Sequence, residues 1–167
     1  MSGKLDFIKS GTGTSFTSFS ITDCFTTDYD VFKVVIDTID IASTDLKFRF
    51  LNSSGVVSSA NYDIGVFLMR SYGAFAAQDD QNRNDSGSIG YSDYTDKGGA
   101  TVLHIYNPAN SSVYTTAHSQ NAGLSTIGTP IRRGAHVLTV AESHTGINFT
   151  AASTVAKVSA SVYGLKV

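Results

Sequence analysis

The chain has 167 residues, of which only 16% are charged, against about 25% in ordinary soluble proteins; twelve basic and fourteen acidic side chains leave a net charge of −2. That length suits a single domain, residues 1–167, with a substantial core. The near-neutral balance supplies no basic field for nucleic acid or for an anionic membrane, so neither partner is expected. Fifteen glycines suit short strands joined by many turns, as do Ser and Thr at roughly a quarter of the chain. The single cysteine, Cys24, cannot form an internal disulfide; beside Phe25 it reads as a small buried hydrophobe rather than a zinc ligand or a nucleophile. No charged start is followed by an apolar run of signal-peptide length, and no window approaches the roughly 20 apolar residues that span a bilayer, so a soluble chain is expected.

In chain order, Lys4 to Lys9 alternates as a first strand, Gly11-Thr12-Gly13 is expected to break it, and Phe16 to Ile21 resumes with Thr17, Phe19 and Ile21 on one face. Asp23 to Asp30 is rich in turn formers. Val31 to Ile41 forms a long strand, with Phe32, Val34 and Ile36 on one face and Ile39 and Ile41 continuing it. The strongest pair follows. Leu46, Phe48 and Phe50 oppose Lys47 and Arg49, then Asn52-Ser53-Ser54-Gly55 turns the chain toward Tyr62 to Met69. Tyr62, Ile64, Val66 and Leu68 share a face there, but Phe67 and Met69 make the second face apolar, so cover on both sides is expected. Residues 71–99 read as a long polar loop, of a kind that is often functional. Leu103 and Ile105 oppose Val102, His104 and Tyr106 before Asn107-Pro108 stops the pairing. Tyr114 to Gln120 and Ala122 to Gly128 are weaker strands. Arg132 to Val140 is stronger, with His136, Leu138 and Val140 together; Ile147 and Phe149 share a face, and Ser153 to Lys166 closes the chain with Val158, Ala160 and Val162 inward. Nine or ten short strands without a helical repeat predict an all-β chain, an antiparallel β-sandwich of jelly-roll type.

Spacing assembles no catalytic or metal motif. His104, His118, His136 and His144 have no H-x-H or H-E-x-x-H pairing, and no G-x-S-x-G elbow singles out a serine. Asp80-x-Asn82-x-Asn84 opens like a calcium loop, yet Asp85 stands where the turn glycine belongs and Tyr91 where the bidentate Glu belongs. The EF-hand reading fails. An irregular calcium site from Asp79, Asp80 and Asp85 is the alternative to a solvated loop. Gly11-Thr12-Gly13 and Gly98-Gly99 lack the strand, helix and Lys of a phosphate cradle and read as turns. Trp is absent, so a sugar-stacking platform would fall to Tyr72, Tyr91 and Tyr94, whose alternative role is to anchor the loop. Those tyrosines, with Asp79, Asp80 and Asp85, are the candidate partner-binding residues. No cofactor is expected.

The opening Leu5-Asp6-Phe7-Ile8-Lys9, the run Thr27-Asp28-Tyr29-Asp30-Val31-Phe32-Lys33-Val34-Val35-Ile36 and the alternating Leu46-Lys47-Phe48-Arg49-Phe50 resemble a virion-protein module of tailed bacteriophages. So do Asn107-Pro108-Ala109-Asn110-Ser111-Ser112-Val113-Tyr114-Thr115 and the closing Val162-Tyr163-Gly164-Leu165-Lys166. The resemblance runs in order over nearly the whole chain; the Asp-rich stretch and Arg132-Arg133 have no counterpart in it. It implies a jelly-roll sandwich of tail fibres and capsid-decorating proteins, non-enzymatic, located in the virion and contacting the major capsid protein or tail components. A similarity that begins almost at Met1 leaves no room for a fibre stalk, which favours a capsid decoration or cement protein. A small tail-fibre or receptor-binding module contacting host glycan or surface protein is the alternative. Low charge presents little barrier to close packing, so a homotrimer or another closed oligomer is expected. Phe67, Met69, Tyr163 and Leu165 are its candidate interface, the alternative being cover within the monomer.

Overall fold

Alternation becomes eleven strands among the described residues of the computed structural model, which are 4–41, 44–71, 73, 75–92, 99–123 and 129–166. They are β1 (Lys4–Ile21), β2 (Val31–Asp40), β3 (Thr44–Asn52), β4 (Gly55–Val56), β5 (Tyr62–Arg70), β6 (Phe75–Arg83), β7 (Gly90–Ser92), β8 (Ala100–Tyr106), β9 (Thr115–Ala122), β10 (Pro130–Leu138) and β11 (Gly146–Lys166). Hydrogen bonding runs in the order β4-β3-β11-β2-β8-β9-β10-β5-β6, with β1 along β11 and β7 on β3. The fold is an all-β antiparallel sandwich of jelly-roll-like form, made by one sheet that curls over on itself.

The 21-residue β11 makes the curl. Its first part, Gly146 to Thr150, pairs with β3, whereas Lys157 to Leu165 pairs with β2, and β1 follows it through both parts. A narrow layer (β4, β3, β7 and the start of β11) therefore faces a broad one (the rest of β11, β2, β8, β9, β10, β5 and β6). Rings meet across the gap: Phe50 of β3 stacks on Tyr62 of β5 with centroids 6.3 Å apart, and Phe48 of β3 meets His136 of β10 edge-on at 5.5 Å. Phe32, Val34 and Ile36 from β2, Leu46, Phe48 and Phe50 from β3, Leu103 and Ile105 from β8, and Ile147, Phe149, Val158 and Val162 from β11 are buried between the layers. Each such large side chain contributes about 1.5–3 kcal/mol of burial. Ile36 and Ile39 are both buried although three residues apart, which strict alternation forbids. A register shift against Ser159 and Ala160 inserts Asp37 as a bulge and returns Ile39 and Ile41 to the core.

Several expectations are corrected. Gly11-Thr12-Gly13 does not break β1: both glycines are strand positions covered by aromatic rings, and a Cβ would approach Phe19 to 2.8 Å at Gly11 and 2.7 Å at Gly13. Ile147-Phe149 and Ser153–Lys166 belong to one strand, because β1 accompanies β11 around the bend. The stretch 71–99 is not one long loop. β6 lies within it, its polar side chains exposed and its backbone paired with β5, because an edge strand takes its stability from the ladder rather than from burial.

Beyond β6 the chain drops between the layers. The Ser86 and Ile89 N–H groups donate to the carbonyls of Phe48 and Leu46, and Ser86 Oγ accepts from the Phe48 N–H. Gly87 has φ 71° there, and a Cβ would sit 2.5 Å from Ile64 Cδ1, so only glycine fits. The second face of β5 is open, not covered: Phe67 and Met69 remain exposed. Val34→Ala and Phe48→Ala should each cost about 2–5 kcal/mol, because each leaves a cavity between packed layers; chemical denaturation of the two variants against wild type measures it, and midpoints equal to wild type would contradict the packing described.

Candidate functional site

Two of the three candidate acidic side chains are tied to cations. Asp85 accepts from Lys47 Nζ at 3.1 Å, from Arg83 at 3.2 Å and from the Gly87 N–H at 3.1 Å, while Asp80 accepts from Arg83 at 2.9 Å. Burial opposes the Asp85 charge, but Gly87 and Lys47, with Arg83, outweigh it and hold the carboxyl below its ordinary range. Asp79, next to Asp80 on β6, is exposed opposite Gly65. Among the described residues no group of three or more His, Cys, Asp or Glu could hold a metal ion, so the irregular calcium arrangement of Asp79, Asp80 and Asp85 is not assembled. Tyr91 is half-buried on β7 with the Arg132 guanidinium 5.1 Å from its ring centre, and Arg132 in turn pairs with Asp45 at 2.6 Å and bonds Ser88. That ring joins the two layers rather than forming an open platform. Tyr72 and Tyr94 lie outside the described residues.

The histidines divide into two kinds. His144 sits in a polar niche, 3.1 Å from Thr115 Oγ, 3.2 Å from the Pro108 carbonyl and 3.4 Å from Glu142, with burial lowering its pKa. His136 is 2% exposed; Nε2 lies 2.8 Å from Ser119 Oγ and Nδ1 contacts the Ser86 carbonyl. Burial pushes its pKa down to about 4, so the ring is neutral at pH 7. Nδ1–H then donates to Ser86 and Nε2 accepts the Ser119 hydroxyl proton. This tautomer is that of a Ser-His nucleophilic pair. Ser119 is only 5% exposed, and a Cβ at Gly134 would stand 2.8 Å from both Ser119 Oγ and His136 Nε2, so the pair is packed closely beneath the Gly134 backbone. Alternation places His136 with Leu138 on the inner face, whereas its partners at Ser119 and Ser86 come from strands and turns remote in sequence.

His104 and His118 point outward. In the registers of the broad layer, His104, His118, Ala135, Gly65 and Asp79 stand side by side across β8, β9, β10, β5 and β6. Two depressions, of about 350 and 330 Å³, meet at Gly65 and Ala135 in the middle of this row. Toward one end of the same face, Phe67 (47% exposed), Met69 (40%), Phe75 (70%) and Ile131 (37%) form an apolar patch, with Ile131 opposite Met69 and Met69 opposite Phe75. The Phe67 and Phe75 rings lie 5.8 Å apart. The sequence pattern does not mark Phe75 or Ile131, because Phe75 lies in the polar stretch 71–99 that predicts a loop and Ile131 just ahead of the strand predicted from Arg132. Tyr163 and Leu165 do not join this patch: they are half-buried on β11, across β2, β8, β9 and β10, and Phe7 packs on Tyr163 at 5.7 Å.

No family model matches the chain, and no curated protein matches it. Among solved structures it is similar to a fructofuranosidase from Schwanniomyces occidentalis at 10% identity and TM-score 0.26, over 98% of this chain and 34% of that one. A human SPRY domain is similar at 12% identity and TM-score 0.33, covering 97% of this chain and 96% of that one. The CBM2 module of an evolved Dit of Lactobacillus casei BL23 phage J-1 is similar at 10% identity and TM-score 0.17, over 90% of this chain and 69% of that one. The chain thus spans about a third of the fructofuranosidase. At these scores the likenesses carry no argument about fold or function. No helix among the described residues is long and apolar enough to cross a membrane.

The folded-state pKa of His136, about 4, lies below its ordinary 6.5, so the unfolded chain takes up the proton first. Stability should be complete above pH 6.5 and fall between 6.5 and 4, by up to about 3 kcal/mol; urea titrations across that window should show a slope that His136→Gln reduces. Burial also pushes the Cys24 thiol up to about 12, and Sγ lies 3.4 Å from the Ile21 carbonyl. Iodoacetamide should therefore leave Cys24 unmodified in the native protein at pH 8 and alkylate it in urea, as intact mass will report.

Proposed function

We propose that this protein is a non-enzymatic structural component of a tailed-bacteriophage virion, and specifically a capsid decoration protein. It docks on the major capsid protein through the patch of Phe67, Met69, Phe75 and Ile131. The observation that carries this reading is that patch itself: four large apolar side chains exposed together at one edge of a face on a chain with few charges. Isolated exposed apolar groups are ordinary, whereas a contiguous set marks a contact. The sequence resemblance to phage virion modules supports the same assignment. A closed homo-oligomer, such as a trimer, would multiply modest contacts through symmetry.

Purified virions test this directly. The protein should be present at a copy number on the scale of the capsid lattice, many-fold above that of any tail component, and immunogold should label the shell. Because both rings are already exposed, Phe67→Lys with Phe75→Lys should leave the melting temperature close to wild type while lowering retention on particles by about tenfold or more, equivalent to about 1.4 kcal/mol. Tail-tip labelling at low copy number would favour the receptor-binding alternative, and undiminished retention of the double variant would exclude the patch as the docking surface.

A further inference from the structure

Beyond that reading, we propose that the trough over Gly65 and Ala135 on the outer face of the broad layer is a binding site for a neutral, hydroxyl-rich ligand, a hexose or short oligosaccharide. The sheet registers create it. His118, Ala135, Gly65 and Asp79 are lateral neighbours on four successive strands, so the two central positions offer only a methyl group and a hydrogen between taller neighbours. At a strand spacing of about 4.8 Å, the span from His118 to Asp79 is about 14 Å. A Cβ built on Gly65 meets nothing within 4 Å, which shows that the space above it is open. Val102 and Val137 extend the apolar floor in the two depressions.

The walls differ in chemistry. His104, His118, Gln120 and Arg133 line one depression, and Asp63, Asp79, Asp80 and Gln81 line the other. The first wall donates hydrogen bonds and the second mainly accepts them. A sugar hydroxyl does both, and neighbouring hydroxyls on a ring can accept from a guanidinium while donating to a carboxylate. The C–H face of the ring would lie on the Ala135-Gly65 floor. Cationic Arg133 stands against Asp63 and Asp79, and Asp80 is already paired with Arg83, so the trough presents no uniform field for phosphate or for a polyamine. With no Phe, Tyr or Trp lining either depression, the dissociation constant should be on the order of a millimolar for a single sugar, rising in effect through multivalency on a particle.

The test is a ¹H–¹⁵N spectrum of the full chain titrated with a panel of free mono- and disaccharides, with inorganic phosphate and an extended zwitterionic peptide as competitors. A supporting result is at least one saccharide that shifts Gly65, Ala135, His118, Gln120 and Asp79 together, with binding lost on Gly65→Leu, which fills the trough from a position where a Cβ meets nothing within 4 Å. Asp79→Ala should weaken binding about tenfold while the melting temperature is unchanged, which guards against a misfolded Gly65 variant. Shifts confined elsewhere, binding that survives both variants, saturation by phosphate or peptide in place of saccharide, or no shift with any sugar would each overturn the proposal. Phe67 and Phe75 lie outside the two depressions, so loss of particle docking and loss of sugar binding are separable outcomes.

Discussion

Everything in this fold hangs on β11 belonging to both layers. A strand that pairs with β3 at one end and β2 at the other must bend between them, and β1, hydrogen-bonded along both parts, bends with it. The bend brings Phe48 and Phe50 over Tyr62 and His136, and so encloses the core. It also explains the glycines of β1: Phe16 and Phe19 close over Gly11 and Gly13, where a side chain would collide with the rings. Residues 146–166 meet partners more than a hundred positions away along β1, so much of the topology is non-local and should form late and slowly.

A polar clasp completes the enclosure where the layers would otherwise gape. The segment Ser86 to Ile89 bonds the backbone of β3 on one side, and its Ser86 carbonyl meets His136 of β10 on the other. Ser88 shares Asp45 of β3 with Arg132 of β10. A buried imidazole is acceptable here because both its nitrogens have partners. The same closure buries the Ser119-His136 pair, whose hydrogen bond ties β9 to β10 between the layers.

The broad layer's outer face carries both the exposed apolar patch and the two depressions. Its edge strand β6 carries Asp79, Asp80 and Arg83, and its end is distorted by a register shift opposite Tyr62 and Ile64 and by Asn82 at φ 55°. Charges and bulges at an edge hinder further strand pairing. Contact through side chains on the face is then favoured over open-ended growth of the sheet, which suits both a docking patch at Phe67 and Phe75 and a separate trough at Gly65.

The sequence alone determined the inner faces. Alternation in Val31–Ile36, Leu46–Phe50 and Ser153–Lys166 placed Phe32, Val34, Phe48 and Val162 inward, and it set Leu103 and Ile105 on one face of Ala100–Tyr106 without choosing the inner one, because a pleated strand sends successive side chains to opposite sides whatever it packs against. It could not show β6, whose polar residues become a strand only because β5 offers a ladder, nor the continuity of β1 and β11, which depends on each supporting the other's bend. The candidate site was legible only in fragments. Asp79 stood out as a polar candidate and Phe67 and Met69 as a second apolar face of uncertain cover, but Gly65 and Ala135 acquire meaning only when register sets them beside His118 and Asp79. Lateral neighbours in a sheet are joined by hydrogen bonds between distant segments, and only the tertiary structure decides which segments those are.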